Sequence, residues 1–195
     1  KLHILFEAAG IEKGDKIALI GRNSSNWAVV FMATLSYGAV IVPILHEFKP
    51  DTVHHIVNHC EAKLLFVGSV VWENLVPTSM IHIGAAYSID NFELLYTTDE
   101  RNRHAIEHLN QLFGERYPKS FGKDDIHFHQ DSPDELALIS YTSGTTSNSK
   151  GVMLPYRTLW SNYKFAEEVL GALVAGSDVV SLLPMAHMYG MAFEF

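Results

Sequence analysis

The segment of this sequence with the clearest capacity for chemistry is rich in hydroxyl groups and runs from Tyr141 to Gly151, Tyr-Thr-Ser-Gly-Thr-Thr-Ser-Asn-Ser-Lys-Gly. Such a segment can turn several backbone N–H groups toward one point, and concave groups of amides bind anions, above all phosphate. Its hydroxyl donors are Thr142, Ser143, Thr145 and Thr146. Lys150 would add a mobile point charge rather than a rigid fork of donors.

The segment differs from the Walker phosphate loop at two positions. Gly144 and Lys150 have the Walker spacing, but Ser149 stands where that pattern has glycine, and Gly151 where it has serine or threonine. No hydroxyl therefore follows the lysine to hold magnesium in the Walker manner. Polar connections of this composition also occur in proteins that bind nothing. On composition alone, a phosphate loop of another design and a plain polar turn stand about equal.

The elements that must position this segment are predicted by apolar runs and helical periodicity. A buried strand over 136–140 leads into it, because Leu-Ala-Leu-Ile-Ser is an uninterrupted apolar run. Further strands are predicted over 16–20, 40–44, 63–67, 80–83 and 178–183. Helices are predicted over 1–9, 27–37, 50–58, 70–75, 99–117 and 158–173, with Pro155 in the first turn of the last one.

Strands that alternate with helices predict an α/β fold with a mostly parallel sheet flanked by helices. In such sheets ligands bind beyond the carboxyl ends of the strands. The hydroxyl-rich segment and the loop over 184–190, Pro-Met-Ala-His-Met-Tyr-Gly, both follow predicted strands. We therefore expect the two loops to share one cleft.

Composition excludes several classes of protein. The 195 residues are 48% hydrophobic and 18% charged, which predicts one globular domain with a substantial core. The net charge is −8 and no basic run occurs, so we expect no nucleic-acid partner. The single cysteine, Cys60, excludes an internal disulfide and indicates a reducing compartment, which we take to be the cytoplasm.

One uncharged stretch, between Arg22 and His46, is long enough for a transmembrane helix. Gly38 and Pro43 argue against a span, because glycine suits a helix end and proline a strand start or edge. We predict a buried helix followed by a buried strand, and no transmembrane segment. Peripheral contact with a membrane stays open.

Histidines elsewhere in the chain are interpreted as surface residues. His55 and His59 lie one helical turn apart beside Cys60, a spacing that can hold zinc, but no further pair of ligands is evident. We therefore predict a solvated helix face there. His127 and His129 alternate along a predicted strand and are also taken as surface.

The hydroxyl-rich segment resembles the signature loop of the adenylate-forming enzymes, which comprise acyl-CoA synthetases, luciferases and peptide-synthetase adenylation domains. That loop reads Tyr-Thr-Ser-Gly-Thr-Thr-Gly-x-Pro-Lys-Gly, and this chain departs from it only at Ser147 and Ser149. Weaker matches lie at 14–18, Asn23, Trp27 and 38–43. The Leu-Pro-Met-Ala-His-Met-Tyr run at 183–189 is similar to the family's next motif in its fatty acyl-CoA synthetase form. Tyr156 departs, since relatives commonly carry histidine there.

The resemblance implies ATP-dependent activation of a fatty acid, through an acyl-adenylate, to acyl-CoA. Residues 1–195 would then be an incomplete N-terminal AMP-binding domain, truncated at both ends, with the C-terminal domain absent. The family's phosphate-binding positions fall on Thr142, Ser143, Gly144, Thr145, Thr146 and Lys150. Lys150 and His187 would be catalytic, Thr145 would lie near Mg²⁺, and His187 with Tyr189 would shape the acyl pocket.

Other interpretations remain open at this stage. They are a phosphate-loop hydrolase, a non-catalytic nucleotide-binding module, and an adenylate-forming ligase for an aryl or amino acid. The small-molecule partners expected from the resemblance are fatty acid, ATP and CoA. We also expect the 195-residue chain alone to be inactive and able to self-associate through apolar surface near residues 191–195.

Overall fold

The centre of the fold is a sheet whose strands alternate with helices along the chain. The computed structural model describes residues 1–142, 149–169, 176, 178, 180 and 183–193. The strands are β1 Lys16–Ile20, β2 Val40–Ile44, β3 Leu64–Val67, β4 Ala85–Ser88, β5 Leu94–Thr97, β6 Leu136–Thr142 and β7 Lys150–Pro155. The helices are α1 Leu2–Ala8, α2 Ser25–Tyr37, α3 Pro50–His59, α4 Ser69–Trp72, α5 Glu100–Glu107, α6 Leu109–Arg116, α7 Tyr156–Val169 and α8 Met188–Phe193.

The strand order within the described residues is β5-β4-β3-β1-β2-β6-β7. The inner pairs β1–β2, β1–β3, β2–β6 and β3–β4 are parallel, and the two outer pairs are antiparallel. The predicted α/β fold with a mostly parallel sheet is confirmed. For the predicted strand over 178–183, Asp178, Val180 and Leu183 are described and none lies in a strand, while residues 179, 181 and 182 lie outside the described part.

Both faces of the sheet are buried, which is why its inner strands read as unbroken apolar runs. Side chains alternate along each strand, so Leu19 joins the cluster that contains Phe6 of α1. Ile20 points to the opposite face and joins the cluster that contains Ile56 of α3. The core therefore consists of two apolar layers, one on each side of the sheet.

The uncharged stretch after Arg22 forms α2 and then β2, as predicted. Ser24 caps α2 by accepting a 3.1 Å hydrogen bond from the backbone N–H of Trp27. Gly38 ends the helix with a φ of 88°, a left-handed conformation that glycine adopts without steric cost. Among the described residues, no helix combines the length and the apolarity needed to cross a membrane.

One strand prediction after β3 is wrong, and two strands there, β4 and β5, were not predicted. The strand predicted over 80–83 is absent, because a 3-10 turn over Pro77–Ser79 leads into further turn structure and the next strand begins at Ala85. Met80 and Ile83 are nevertheless buried, so their apolar character reflects packing rather than strand pairing. β5 was not predicted; its residues are only half-buried, and their pattern lacks a strong period.

Two helix predictions also need correction. The single helix predicted over 99–117 is divided into α5 and α6 at His108, whose Nδ1 lies 3.0 Å from the carbonyl oxygen of His104. His108 has φ −102° and ψ 9°, outside the α-helical range, and this interrupts the helix between Glu107 and Leu109. Pro155 ends β7 instead of starting a helix, and α7 begins at Tyr156. Residues 170–173 of the predicted last helix lie outside the described residues.

The packing at Phe66 predicts a large effect of its truncation. Its ring is fully buried and stacks on Tyr87 at 5.3 Å between centroids. We expect Phe66→Ala to lower the free energy of unfolding by about 3–5 kcal/mol, because it leaves a cavity between the sheet and α1. Urea unfolding measures this change. Ile81→Ala, at a side chain that is 74% exposed, should change the free energy by less than about 0.5 kcal/mol. Equal effects of the two substitutions would contradict the placement of Phe66.

Candidate functional site

The β6–β7 hairpin brings together two of the residues that the sequence assigns to phosphate. Thr142 ends β6 and Lys150 begins β7, and the two face each other as a cross-strand pair. Both are exposed. Lys150 was predicted in the loop and instead lies in a strand, which fixes the backbone that carries its ammonium group. Ser143, Gly144, Thr145 and Thr146 lie outside the described residues.

The next pair down the hairpin is Tyr141 and Gly151, and it shows why a glycine stands at this position. A Cβ atom on Gly151 would lie 2.9 Å from Cγ2 of Ile139 and 3.0 Å from Cζ of Tyr141. Only a residue without a side chain lets the Tyr141 ring lie over the β7 backbone. This ring is 6% exposed, and its burial raises the pKa of Tyr141 to about 12.

The Tyr141 hydroxyl is hydrogen-bonded to His59, which the sequence reasoning placed on a solvated helix face. The Tyr141 oxygen lies 2.6 Å from Nδ1 of His59, the last residue of α3. The His59 side chain is exposed, as predicted, but its hydrogen bond was not predicted, since the partner lies 82 residues away in sequence and leaves no local signal. Within the described residues, no cluster of three or more His, Cys, Asp or Glu side chains could hold a metal ion.

His129 is also not a simple surface residue. Its Nε2 lies 3.0 Å from Oε1 of Glu135, and its backbone N–H donates to the carbonyl oxygen of Ser36 at 2.8 Å. Its ring lies against Gly38, because a Cβ on that glycine would be 2.8 Å from the imidazole. The segment before β6 is thus attached to the C-terminal end of α2, and residues 127–129 form no strand.

The amide side chain of Asn23 joins the loop at Pro184 to the end of β1. Asn23 Nδ2 donates to the carbonyl oxygen of Leu183 at 2.7 Å, and the backbone N–H of Met185 donates to Asn23 Oδ1, also at 2.7 Å. Ala186 is buried in the same apolar layer as Trp27. The sequence indicated Asn23 through a motif match. Its anchoring role could have been predicted from the position of an amide side chain just after a parallel strand.

His187 follows this clamp at the start of α8. Its backbone N–H donates to the carbonyl oxygen of Pro184 at 2.8 Å, and its side chain is exposed. The turn is tight, since a Cβ on Gly190 would lie 2.7 Å from that same oxygen. The structure therefore fixes the backbone at His187, whereas the side chain of Tyr189 lies outside its description.

The hairpin and the Pro184 loop lie at the same edge of the sheet. β1, β2 and β6 are mutually parallel neighbours, so the segments that follow β1 and β6 emerge together, with β2 between them. Two strand spacings amount to about 10 Å. This distance suits two parts of one extended small-molecule site.

A cavity of about 540 Å³ opens at the same edge. It is formed by the segments that follow β1, β2, β3 and β4, including Arg22, His46, Ser69 and Asp90. Asp90 Oδ2 accepts hydrogen bonds from the backbone N–H and the hydroxyl of Ser69, at 3.0 and 2.5 Å. The volume is in the range of small-molecule sites. The sequence reasoning assigned none of these four residues to a site, although the carboxyl ends of parallel strands are where such cavities form.

Comparison with known proteins decides the family. The model of the family described as AMP-binding enzyme matches residues 3–195. The chain belongs to this family. Long chain acyl-CoA synthetase 7, a peroxisomal protein of Arabidopsis thaliana, is 31% identical over 190 residues, which are 94% of this chain and 26% of that protein. The long-chain-fatty-acid–CoA ligase ACSBG1 of Rattus norvegicus is 25% identical over 97% of this chain and 26% of its own length. The chain thus spans about a quarter of these curated relatives.

Solved structures of AMP-binding enzymes share the fold. A long-chain-fatty-acid–CoA ligase from Archaeoglobus fulgidus superposes with a TM-score of 0.69 at 23% identity, over 97% of this chain and 35% of that one. The fatty acyl-adenylate ligase from L. pneumophila, solved with acyl adenylate and pyrophosphate, gives 0.68 at 19% identity over 98% of this chain and 29% of that one. At this identity the likeness shows the fold alone.

The contact between Gly151 and Tyr141 predicts that a methyl group is not tolerated in β7. We expect Gly151→Ala to lower the free energy of unfolding by about 1–3 kcal/mol, because the added carbon overlaps Ile139 and the tyrosine ring. Thermal unfolding followed by circular dichroism measures the change. The control is Gly114→Ala in α6, where a Cβ meets nothing within 4 Å and helix propensity should add roughly 0.5–1 kcal/mol of stability. A Gly151→Ala protein as stable as the parent would refute the packing described.

Proposed function

We propose that the protein is an adenylate-forming ligase that activates a long-chain fatty acid with ATP and transfers the acyl group to the thiol of CoA. The observation that carries this proposal is the β6–β7 hairpin of an AMP-binding enzyme, in which Thr142 and Lys150 face each other at the mouth of the signature loop. The names of the relatives, long-chain acyl-CoA synthetases and ligases, support the fatty acid as the substrate.

In the proposed reaction a carboxylate oxygen of the fatty acid attacks the α-phosphorus of ATP. The bond from that phosphorus to pyrophosphate breaks, and an acyl-adenylate forms. The CoA sulfur then attacks the acyl carbon, AMP leaves, and the thiol proton passes to solvent. Charge neutralisation and positioning dominate the phosphoryl step. Lys150 would place its ammonium group on the phosphate oxygens, and the Thr142 hydroxyl would donate to them.

The donors at the hairpin mouth fit phosphate, because ammonium and hydroxyl groups are suited to anionic oxygen. Mg²⁺ bound with ATP would neutralise further phosphate charge, with Thr145 as its proposed neighbour from the loop. Ser143, Gly144 and Thr146 complete the proposed phosphate-binding set.

The acyl group would lie beside the Pro184 loop. His187 and Tyr189 are the proposed residues of its pocket, and His187 is the residue proposed there to contact the reacting carboxyl group. Asn23 supports this assignment, since its two hydrogen bonds fix the backbone just before His187. The loop is thereby held on the edge of the sheet from which the phosphate hairpin also emerges.

An aryl acid is the second candidate substrate. A 4-coumarate–CoA ligase-like protein of Arabidopsis thaliana is 26% identical over 96% of this chain, so sequence similarity alone separates the two substrate classes only weakly. The reaction type is the same in both cases. A non-catalytic nucleotide-binding module is the third candidate, favoured by the two departures from the signature at Ser147 and Ser149.

Exchange of labelled pyrophosphate into ATP by the full-length protein distinguishes these candidates. We expect palmitate to stimulate exchange strongly, 4-coumarate weakly and amino acids not at all. Formation of palmitoyl-CoA on addition of CoA should follow. Pyrophosphate exchange that is stimulated by 4-coumarate and not by palmitate would indicate that the substrate is an aryl acid and not a fatty acid. Nucleotide binding without exchange, for every carboxylate tested, would make the protein a binding module.

Lys150 provides a sharper test of the phosphate site. We expect Lys150→Ala to slow palmitate-dependent exchange by about tenfold to a hundredfold, the effect of losing one hydrogen bond to a charged group. The exposed side chain should leave the thermal midpoint almost unchanged. Lys164→Ala, at an exposed lysine of α7, is the matched control and should retain full exchange. Unchanged exchange in Lys150→Ala would remove this lysine from the mechanism.

A further inference from the structure

Tyr141 is held against the hairpin on several sides. It directly precedes Thr142 in β6, and its cross-strand neighbour in β7 is Gly151, which itself follows Lys150. Its ring covers the Gly151 backbone, as the 3.0 Å distance from a Cβ at that position to Cζ shows. Any displacement of this ring therefore acts on both residues that face each other at the loop mouth.

His59 fixes the far end of the ring. The two ring planes are nearly perpendicular, at 87°, with centroids 5.8 Å apart. The 2.6 Å bond between Nδ1 and the hydroxyl oxygen closes the contact. Tyr141 shares an apolar layer with Val53 and Ile56, so α3 already packs beneath the strand. The hydrogen bond adds a directional link from this helix to the end of β6.

The link joins a buried ring to an exposed imidazole, since Tyr141 is 6% exposed and the His59 side chain is exposed. Tyr141 is a neutral phenol at physiological pH, burial raises its pKa further, to about 12, and its O–H can donate to Nδ1. A hydroxyl that loses its partner in a part-buried contact is destabilised, which favours a shifted ring. Displacements of only about 1 Å at a reacting site can lower rates by up to about a hundredfold.

We propose that His59 is a positioning residue for the phosphate loop, acting through its hydrogen bond to Tyr141 to set the hairpin that carries Thr142 and Lys150. This inference rests on the proposed function, since it concerns the binding of ATP phosphates. His59 is not among the proposed substrate-binding residues. Its effect is specific to the nucleotide and should not reach the fatty acid at the Pro184 loop.

The test uses variants of the full-length protein. His59→Phe keeps a planar ring and removes the nitrogen, and Tyr141→Phe removes the hydroxyl. Each should raise the KM for ATP in pyrophosphate exchange by about five- to thirtyfold, leaving the KM for palmitate unchanged. The double variant should be no worse than either single one, because both remove the same bond. His59→Asn, which keeps a hydrogen-bonding atom near the position of Nδ1, should restore most of the affinity.

His55→Phe is the matched control. His55 lies one turn earlier in α3, with its ring centroid 5.6 Å from that of His59, and its replacement should leave the KM for ATP near the parent value. Additive effects in the double variant, or equal rises in KM for ATP and palmitate, would overturn the proposal. So would a His59→Asn protein as impaired as His59→Phe.

Hydrogen exchange at the backbone amides of β6 and β7 provides a readout that needs no activity. Exchange should become faster in His59→Phe and Tyr141→Phe and stay at the parent rate in His59→Asn and His55→Phe. Unchanged protection in His59→Phe would refute the positioning role. A parent protein without pyrophosphate exchange would instead refute the proposed function, and hydrogen exchange would still decide whether His59 sets the hairpin.

Discussion

The parallel pairing of β1, β2 and β6 is the constraint on which the candidate site depends. Parallel neighbours present their carboxyl ends at one edge, and the Asn23 hydrogen bonds anchor the Pro184 loop after β1, so the loop lies on the side of the sheet where the β6–β7 hairpin opens. The apolar layers on the two faces serve this pairing. α1 and α2 cover one face and α3 the other, so the strands are buried and the edge between their ends is left for polar chemistry.

The sequence was most informative where local chemistry and tertiary packing agree. Runs such as Lys16–Ile20 predicted their strands because both faces of the sheet are buried, and Gly38 predicted the end of α2 because a helix cap is a local feature. Prediction from the sequence failed where tertiary packing overrides the local pattern of apolar residues. The apolar residues before β4 are buried although they lie in turns. The edge strand β5 is half-buried, and its sequence has no periodicity from which a strand could be predicted.

The residues of the candidate site also fall into those that the sequence indicated and those that it did not. Thr142, Lys150 and His187 could be identified from the sequence because each lies in a contiguous motif, whereas His59 and Asn23 make their contacts with residues far away in sequence. Tyr156 illustrates the limit of a motif. It stands where the resemblance leads one to expect histidine, yet its hydroxyl donates to the carbonyl oxygen of Leu35 at 2.7 Å and its ring lies in the core. A departure from a motif at this position is therefore a packing feature of α7 and α2.

The pairing of Ile41 with Leu138 has a consequence for how the chain folds. These partners are separated by about a hundred residues, whereas β1, β2 and β3 pair over short βαβ connections. Closing so long a loop costs more entropy, so the β1–β2–β3 unit can form first and β6 must dock onto a sheet that already exists. φ-values near one at Ile41 and near zero at Ile139 would be the kinetic mark of this order. The hairpin that carries the phosphate-binding residues would then form late in folding, by docking onto the part of the sheet that the first third of the chain has already formed.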